Sequence, residues 1–451
     1  MLRKVLLSRP DHLGDLILTL PALWQLKSGG AHLTLVAAPG LEHLHPAMTW
    51  VDEIWSPKDM TVERLRQAAF DAAVFFWEED PHARLALEVG IPLRSGWKRS
   101  PKDLRLFNRG LWRSHRVSSF RPQVFQNLDL VNKLSMTPAS AGIHYHFNPS
   151  TFKLPESVSQ FQNHSGQTEW ILLALEAQSA LAVSFSTLAT LARHLLLTYP
   201  RAAVGLMGTS KASHTAQKIL AEIPEPLKIR VLDATGQTSV SELAAWIAHA
   251  RLLLGPSTGT AHLAAACGTP QICVLVTQNI NPCRWAPWDA HALAYKETPH
   301  CAIACTPWNC ALAVSTCQPH ISAEKLFALC QQQLDKPTYW TATQLRSHLL
   351  KASLEILCDD PQATRHLQDA GYQAHSLCPF NMKFAEQILV SHKINVLVLK
   401  QPWRHPWIYP LKMKTSNLTA WNPPVYVHLA DLEIPAFETW AYERLGLGGC
   451  V

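Results

Sequence analysis

Short apolar runs alternate with longer amphipathic stretches from Val5 to Val276, and this rhythm restricts the fold more than any other feature of the chain. Val5 to Leu7, Leu33 to Ala37 and Ala72 to Phe76 read as strands. The segment Arg9-Pro10-Asp11-His12-Leu13-Gly14 has turn chemistry. Asp15 is then expected to open an amphipathic helix that carries Leu16, Leu20, Leu23 and Leu26 on one face, with Pro21 kinking it. A second block begins near Glu169, with strands expected over 170–175, 203–207, 229–232, 252–255 and 272–276. Such alternation predicts mostly parallel sheets covered by helices. Two halves of similar size imply a cleft between them, and in open sheets of this kind ligands bind beyond the carboxyl ends of the strands. The polar stretch 148–168 reads as the linker between the halves. After Lys336 a further αβ rhythm follows, with strands expected over 354–357 and 394–399 and a helix over 364–370. The chain turns Trp- and Pro-rich beyond Lys412, and nothing in the tail assigns it a role.

Composition narrows the class. Of 451 residues 47% are apolar, enough for a packed core in each half, whereas 16% are charged. No apolar run reaches the roughly 18–20 residues of a membrane span. Arg9 and Asp11 interrupt the first apolar stretch too early for a signal peptide. The eleven cysteines are odd in number and none precedes Cys267, which points to reduced thiols and a cytoplasmic, soluble protein. Cys301, Cys305, Cys310 and Cys317 lack the paired spacing of a zinc ribbon and read as free thiols. The net charge of +6 is local in origin. Arg94, Lys98, Arg99, Lys102, Arg105, Arg109, Arg113, Arg116 and Arg121 are opposed only by Asp103 across that stretch, so the rest of the chain is slightly acidic.

Two segments can carry chemistry. In the stretch 252–270 a strand is expected to end at Gly255, Ser257-Thr258-Gly259 forms a turn, and a helix of small residues starts near Thr260 and stops at Gly268. Unpaired N–H groups and the positive end of the helix dipole favour a phosphate at such a helix start. His262, in the first turn, is placed to donate to a diphosphate oxygen. The plainer alternative is that Ser257 or Thr258 is an ordinary cap and His262 a surface residue. In the other segment Asp15 stands at a strand-to-helix junction on the cleft side. A helix N-terminus favours a carboxylate's charged form, and a carboxylate in a cleft can take the proton of an attacking hydroxyl. The plainer alternative here is that Asp11 and Asp15 merely cap the helix.

Taken together, residues 9–23 (Arg9-Pro10-Asp11-His12-Leu13-Gly14-Asp15 and the apolar helix after them) and residues 235–266 resemble glycosyltransferase family 9, the heptosyltransferases of lipopolysaccharide core assembly. The cysteine-containing stretch 301–317 followed by Ile321-Ser322-Ala323-Glu324-Lys325 is also similar to members of that family. The resemblance runs in order over about residues 1–335. It implies a GT-B fold: a Rossmann-like acceptor-binding domain over 1–160 and a Rossmann-like nucleotide-sugar-binding domain over 165–335, facing a cleft. Residues 336–451 would form a C-terminal α/β extension. It further implies inverting transfer from a nucleotide-diphosphate sugar, typically ADP-heptose, with no metal and no other cofactor. Asp15 matches the family's base. Ser257, Thr258, Gly259 and His262 would bind the donor, and Arg9, Asp11, His12 and Gly14 the acceptor. A lipid A-type acceptor is anionic, so Lys98, Arg99 and Arg105 would face it, holding the protein at the inner face of the cytoplasmic membrane.

The sequence also departs from that family. Ser257 stands where many members carry Asp, the stretch 175–184 has no phosphate-binding Lys, and Gly208-Thr209-Ser210-Lys211 replaces an acidic position. Lys211 or Arg284 would then have to supply the missing cation. Two other readings follow from these departures. One is a degenerate member that binds a nucleotide sugar or glycolipid without transfer. The other is a polyanion-binding module built on the basic stretch, although no nucleic-acid-binding signature accompanies it.

Overall fold

A computed structural model describes residues 3–112, 122–134, 145–176, 182–276, 282–288, 292–295 and 321–335, with residues 355–358, 365, 368–369, 373–376, 396–398, 420–421 and 425–427 of the tail. The first lobe is a parallel sheet of β1 (Lys4–Arg9), β2 (His32–Ala37), β3 (Glu53–Trp55), β4 (Ala72–Phe75) and β5 (Leu93–Ser95), in the order β3-β2-β1-β4-β5. Both faces are covered, so β1 is buried from Val5 to Arg9 and its apolar residues run continuously instead of alternating. The chain leaves β1 towards β2 on one side and reaches β4 on the other, so the order reverses at β1. Residues 10–15 follow the carboxyl end of that strand, at the switch point where such sheets bind ligands. The short strands β6 (Trp97–Lys98) and β7 (Leu111–Trp112) pair beside this sheet.

The second lobe repeats the arrangement with β8 (Glu169–Ala174), β9 (Ala202–Met207), β10 (Val231–Asp233), β11 (Ala250–Pro256), β12 (Gln271–Val274) and β13 (Ala292–Tyr295). The order β10-β9-β8-β11-β12-β13 places its switch point between β8 and β11. In the tail, β14 (Glu355–Cys358), β15 (Gln373–Ser376), β16 (Val396–Val398) and β18 (Val425–Val427) form a separate parallel sheet. β17 (Ala420–Trp421) instead pairs antiparallel with β13. The extension thus supplies both a sheet of its own and the strand that covers an edge of the second lobe, an edge otherwise open to pairing with another chain.

Three local expectations are corrected. The helix after β1 opens at Leu13, not Asp15, and it breaks instead of kinking: Leu13–Ile17 is one helix and Leu20–Ser28 another. Pro21 lies in the first turn of the second helix, where its missing N–H costs nothing. The expected linker contains the helix Glu156–Ser165, whose Gly166 stop has φ +66°. The strand expected over 229–232 is shortened to β10, because Pro226 opens a helical turn over Glu225–Lys228.

The lobes share one apolar cluster, with Leu16 and Leu20 of the first and Leu263 and Ala264 of the second fully buried in it. A polar chain runs beside this seam. The helix Gln123–Asn132 carries Asn127, whose buried amide donates to the Leu18 carbonyl at 2.9 Å and to Thr19 Oγ1 at 3.2 Å. Thr19 Oγ1 in turn donates to the Asp15 carbonyl at 2.7 Å, and Gln123 Nε2 donates to Asn127 Oδ1 at 3.1 Å. These bonds fix the backbone that carries Asp15.

Candidate active site between the lobes

The helices Leu13–Ile17 and Gly259–Cys267 meet through their first turns. A Cβ on Gly14 would fall 2.7 Å from Cδ2 of His262 and 3.2 Å from Cα of Gly259. One on Gly259 would fall 3.0 Å from Cβ of Leu13. Glycine at both positions is therefore what lets the two strand ends approach. Gly268, at φ +71°, ends the second helix in the left-handed conformation that glycine adopts without strain.

At this contact Arg9 is 4% exposed and holds two carboxylates. Its Nε lies 3.0 Å from Asp11 Oδ1 in an ion pair without hydrogen-bond alignment, and its Nη2 donates to Asp15 Oδ1. Among the described residues Asp15 Oδ2 has no protein partner.

Asp15 stands between two cavities. The larger, about 790 Å³, runs from His12, Gly14 and Asp15 across Thr258, Gly259, Thr260 and His262 to Met207, Gly208, Thr209, Gly236 and Leu243. The smaller, about 280 Å³, is bounded by Arg9, Asp11, Phe76, Trp77, Glu78, Glu79, Trp97, Gln123 and Arg284. Asp15 and Trp285 border both. In the larger cavity Thr258 caps its helix through backbone alone. Its hydroxyl is exchanged with Thr260 Oγ1 at 2.7 Å, so no side chain caps the N–H groups of the first turn. That leaves an anion-favouring helix start facing the cavity.

The structure sorts the remaining candidates. Ser257 lines the larger cavity, but its hydroxyl donates to the Trp285 carbonyl at 3.0 Å and so secures the neighbouring loop. Arg284, expected beside the donor, instead lines the smaller cavity. Its Nε donates to Gln123 Oε1 at 3.0 Å, and its guanidinium lies 4.4 Å over Trp285. Lys211 is exposed and outside both cavities, although its neighbours Thr209 and Ser210 line the larger one. In the basic stretch Lys98 is buried at 9% exposure. Arg94 is equally buried, donating to the carbonyls of Ile91, Leu106 and Arg105. Arg99 pairs with Glu79 at 2.9 Å, while Arg105 is exposed away from both cavities. The cations at 113, 116 and 121 and the cysteines 301–317 lie outside the described residues.

Sequence reading missed Glu176, noting only that no lysine follows β8. Its carboxylate accepts from Thr209 N–H at 2.5 Å and from Thr209 Oγ1 at 2.8 Å, and it lines the larger cavity opposite Asp15. It missed Trp77 and Glu78 as well. Their position just past β4 and beside β1, at the carboxyl end of the sheet, was the available signal.

Burial sets the site's titration. His262 is 5% exposed with Nδ1 lacking a partner. Desolvation pushes its pKa down to about 4 against a smaller upward pull from Asp15, so the ring is neutral. Asp11 is pushed the other way, up to about 6, by desolvation first and by neighbouring Asp15, with Arg9 opposing. Between pH 6.5 and 4 the unfolded chain binds a proton that folded His262 refuses. The histidine's contribution is therefore full above 6.5 and lost as pH falls, to a limit of about 3 kcal/mol. Asp11 contributes fully below its ordinary value of 3.8 and loses that as pH rises through about 6. The two oppose each other between about pH 4 and 6. His262→Gln is expected to melt progressively higher relative to the parent as pH is lowered from 7 to 4.5, and Asp11→Asn progressively lower. Parallel melting curves for all three proteins would dismiss both assignments.

Two facing lobes, each a helix-covered parallel sheet with its switch point on a shared gap, define the GT-B class of glycosyltransferases. In keeping with this, the chain superposes on E. coli ADP-heptose lipopolysaccharide heptosyltransferase II with TM-score 0.57 at 17% identity, covering 73% of this chain and 98% of that one. A family 9 glycosyltransferase from Veillonella parvula gives TM-score 0.58 at 16% identity over 74% and 97%. E. coli heptosyltransferase WaaC with ADP gives 0.55 at 16% over 73% and 99%. Residues 61–307 match the model of glycosyltransferase family 9 (heptosyltransferase), and the chain belongs to that family. The match begins after Asp15, so the role of residues 9–15 rests on their sequence and geometry. No curated protein sequence matches the chain. Among the described residues no helix is long and apolar enough to cross a membrane.

Proposed function

We propose that the protein is an inverting glycosyltransferase that moves heptose or a related sugar from a nucleotide-diphosphate donor to a glycolipid of the lipopolysaccharide-core type. The observation that carries this reading is the position of Asp15, the carboxylate common to both cavities. The donor occupies the larger cavity, with its diphosphate at the start of the helix Gly259–Cys267. The acceptor enters the smaller one. An acceptor hydroxyl gives its proton to Asp15 Oδ2 as its oxygen attacks the anomeric carbon. The bond from that carbon to the diphosphate oxygen breaks on the opposite side, and configuration inverts. Arg9 keeps Asp15 aimed, the polar chain through Thr19 and Asn127 holds its backbone, and the helix N-terminus meets the charge that develops on the leaving group. In this reading no resident metal or cofactor takes part.

With no lysine among the described residues that line the larger cavity, the donor's diphosphate is held through the helix start more than through ion pairs. Calorimetry with ADP is therefore expected to give saturable one-to-one binding, weakened about tenfold in Thr258→Val by loss of one hydrogen bond to a charged group. Equal affinity in parent and variant would remove the diphosphate from this turn.

A further inference from the structure

A second carboxylate, that of Asp11, is buried beside the base. Resting on the proposed function, we infer that Asp11 is a positioning residue: it holds the Nε side of Arg9, denies Arg9 a two-pronged grip on Asp15, and so keeps Asp15 Oδ2 open to the acceptor hydroxyl.

The geometry of Arg9 is the first argument. The Nε and Nη2 groups of a guanidinium are parallel donors, and together they grip a single carboxylate by both oxygens. In this protein that edge is divided between two carboxylates. Nη2 donates to Asp15 Oδ1, whereas Nε lies 3.0 Å from Asp11 Oδ1 in an ion pair that is not aligned as a hydrogen bond. Nε and Asp11 Oδ1 are both buried without a hydrogen-bond partner. Asp15 is thus held by one oxygen, and Oδ2 has no protein partner among the described residues. A small turn of the Asp15 side chain would bring Oδ2 to Nε and close the grip. The Asp11 charge beside Nε is what competes with that turn.

The cost of burying Asp11 is the second argument. Its side chain is 13% exposed, and desolvation is the largest cause that raises its pKa to about 6, so at neutral pH the fold carries an unfavourable buried charge there. Helix capping does not offset this, because no side chain caps the helix Leu13–Ile17. Arg9, Asp15 and His12 act on Asp11 electrostatically, and Glu78, Glu79 and Arg284 share its cavity. His262 faces Asp15 from the second lobe but is neutral down to about pH 4, and Glu79 is paired with Arg99. When Asp11 takes a proton its hold on Nε ends, and Arg9 closes on Asp15. Oδ2 is therefore open above about pH 6 and covered below it.

The test reads the full chain, labelled at arginine Nε, by NMR, with the Arg9 signal assigned by its loss in Arg9→Lys. An Nε–H moves downfield when it donates to a carboxylate in an aligned bond. In the parent the Arg9 signal is expected to move downfield with a midpoint near pH 6 as pH falls. Asp11→Asn should show the downfield position already at pH 8, and Asp11→Asn combined with Asp15→Asn should lose it. His12→Gln should keep the parent's transition. Turnover is followed as ADP release from ADP-heptose, with heptose-deficient lipopolysaccharide as acceptor. At pH 8 Asp11→Asn should lose about 10–10²-fold in kcat, the effect of one further hydrogen bond to a charged group. The parent should lose rate as pH falls through about 6, and that limb should be missing from Asp11→Asn, a difference that general loss of packing would not produce. An Arg9 signal indifferent to pH and to Asp11→Asn overturns the inference. So does parental kcat in that variant, or a loss confined to KM for the acceptor, which would make Asp11 a plain acceptor contact. Each of these leaves the proposed function standing. If ADP release in the parent does not depend on Asp15, the proposed function fails, and the inference with it.

Discussion

Asp15→Asn is expected to lower transfer by about 10²–10⁴-fold, the range over which a positioned general base accelerates proton transfer, while ADP binding stays at the parent's level. The amide keeps the shape of the carboxylate and can still accept from Arg9, but it cannot take the acceptor's proton through Oδ2. Loss should appear equally in kcat and in kcat/KM, because the interaction exists only as the hydroxyl gives up its proton. The substitution leaves Arg9, 4% exposed, with Asp11 as its remaining carboxylate, so a melting curve belongs beside the kinetics. Turnover of the folded variant at the parent's rate would strip Asp15 of its assigned role. The degenerate-member reading makes a different prediction: tight ADP binding in both proteins and no turnover that depends on Asp15.

Gly14→Ala should be nearly as damaging without touching a chemical group. The added methyl would sit 2.7 Å from a ring carbon of His262, a side chain packed in place, and 3.2 Å from the backbone of Gly259. Neither neighbour is a flexible tip that can swing away, so the two helix starts must part by several tenths of an ångström or more. Overpacking of this kind costs about 1–3 kcal/mol in stability, and a misplacement near 1 Å can cost about 10²-fold in rate. Because Gly14 and Gly259 both border the larger cavity, where the proposed function puts the donor, ADP affinity and transfer should fall together, unlike the outcome for Asp15→Asn. A Gly14→Ala protein with parental affinity and rate would show that the close contact of the lobes is not needed for function.

Much of the architecture was legible because it depends on local periodicity. Continuous apolar runs such as Val5 to Leu7 and Leu252 to Leu254 belong to strands buried on both faces, and their alternation with amphipathic stretches is what a parallel, helix-covered sheet produces. Gly268 marked a helix end because few other residues adopt φ +71° without strain. Boundaries were less legible where competing signals lay close together. The leucines from Leu16 to Leu26 keep one helical face through a break at Leu18 and Thr19, and periodicity does not register a missing hydrogen bond.

The site divides in the same way. Asp15 and the turn at Thr258 could be found because strand–turn–helix junctions at switch points are readable along the chain. Charge could be counted along the chain but not placed. Nine cations in one stretch suggested an anion-binding face, yet Arg94 and Lys98 are buried inside the lobe, and Arg99 is spent on a carboxylate twenty residues earlier. Lys211 and Arg284 were likewise sound candidates by residue type and were redistributed by the fold, one to open surface and the other to the smaller cavity.

Sequence by itself determined the layered αβ plan, the strand-to-helix junction that carries Asp15 and the helix start at Thr258 that suits a phosphate, since each depends on residues within a few positions of one another. The tertiary structure alone decided that Asp15 borders two cavities, that Glu176 lines the larger, and that acidic and aromatic groups line the smaller. It also decided that the tail lends a strand to the second sheet, through Trp421 against Ala294. Those outcomes depend on groups distant in sequence being carried to one gap by packing, and on which charges burial neutralises before any ligand arrives.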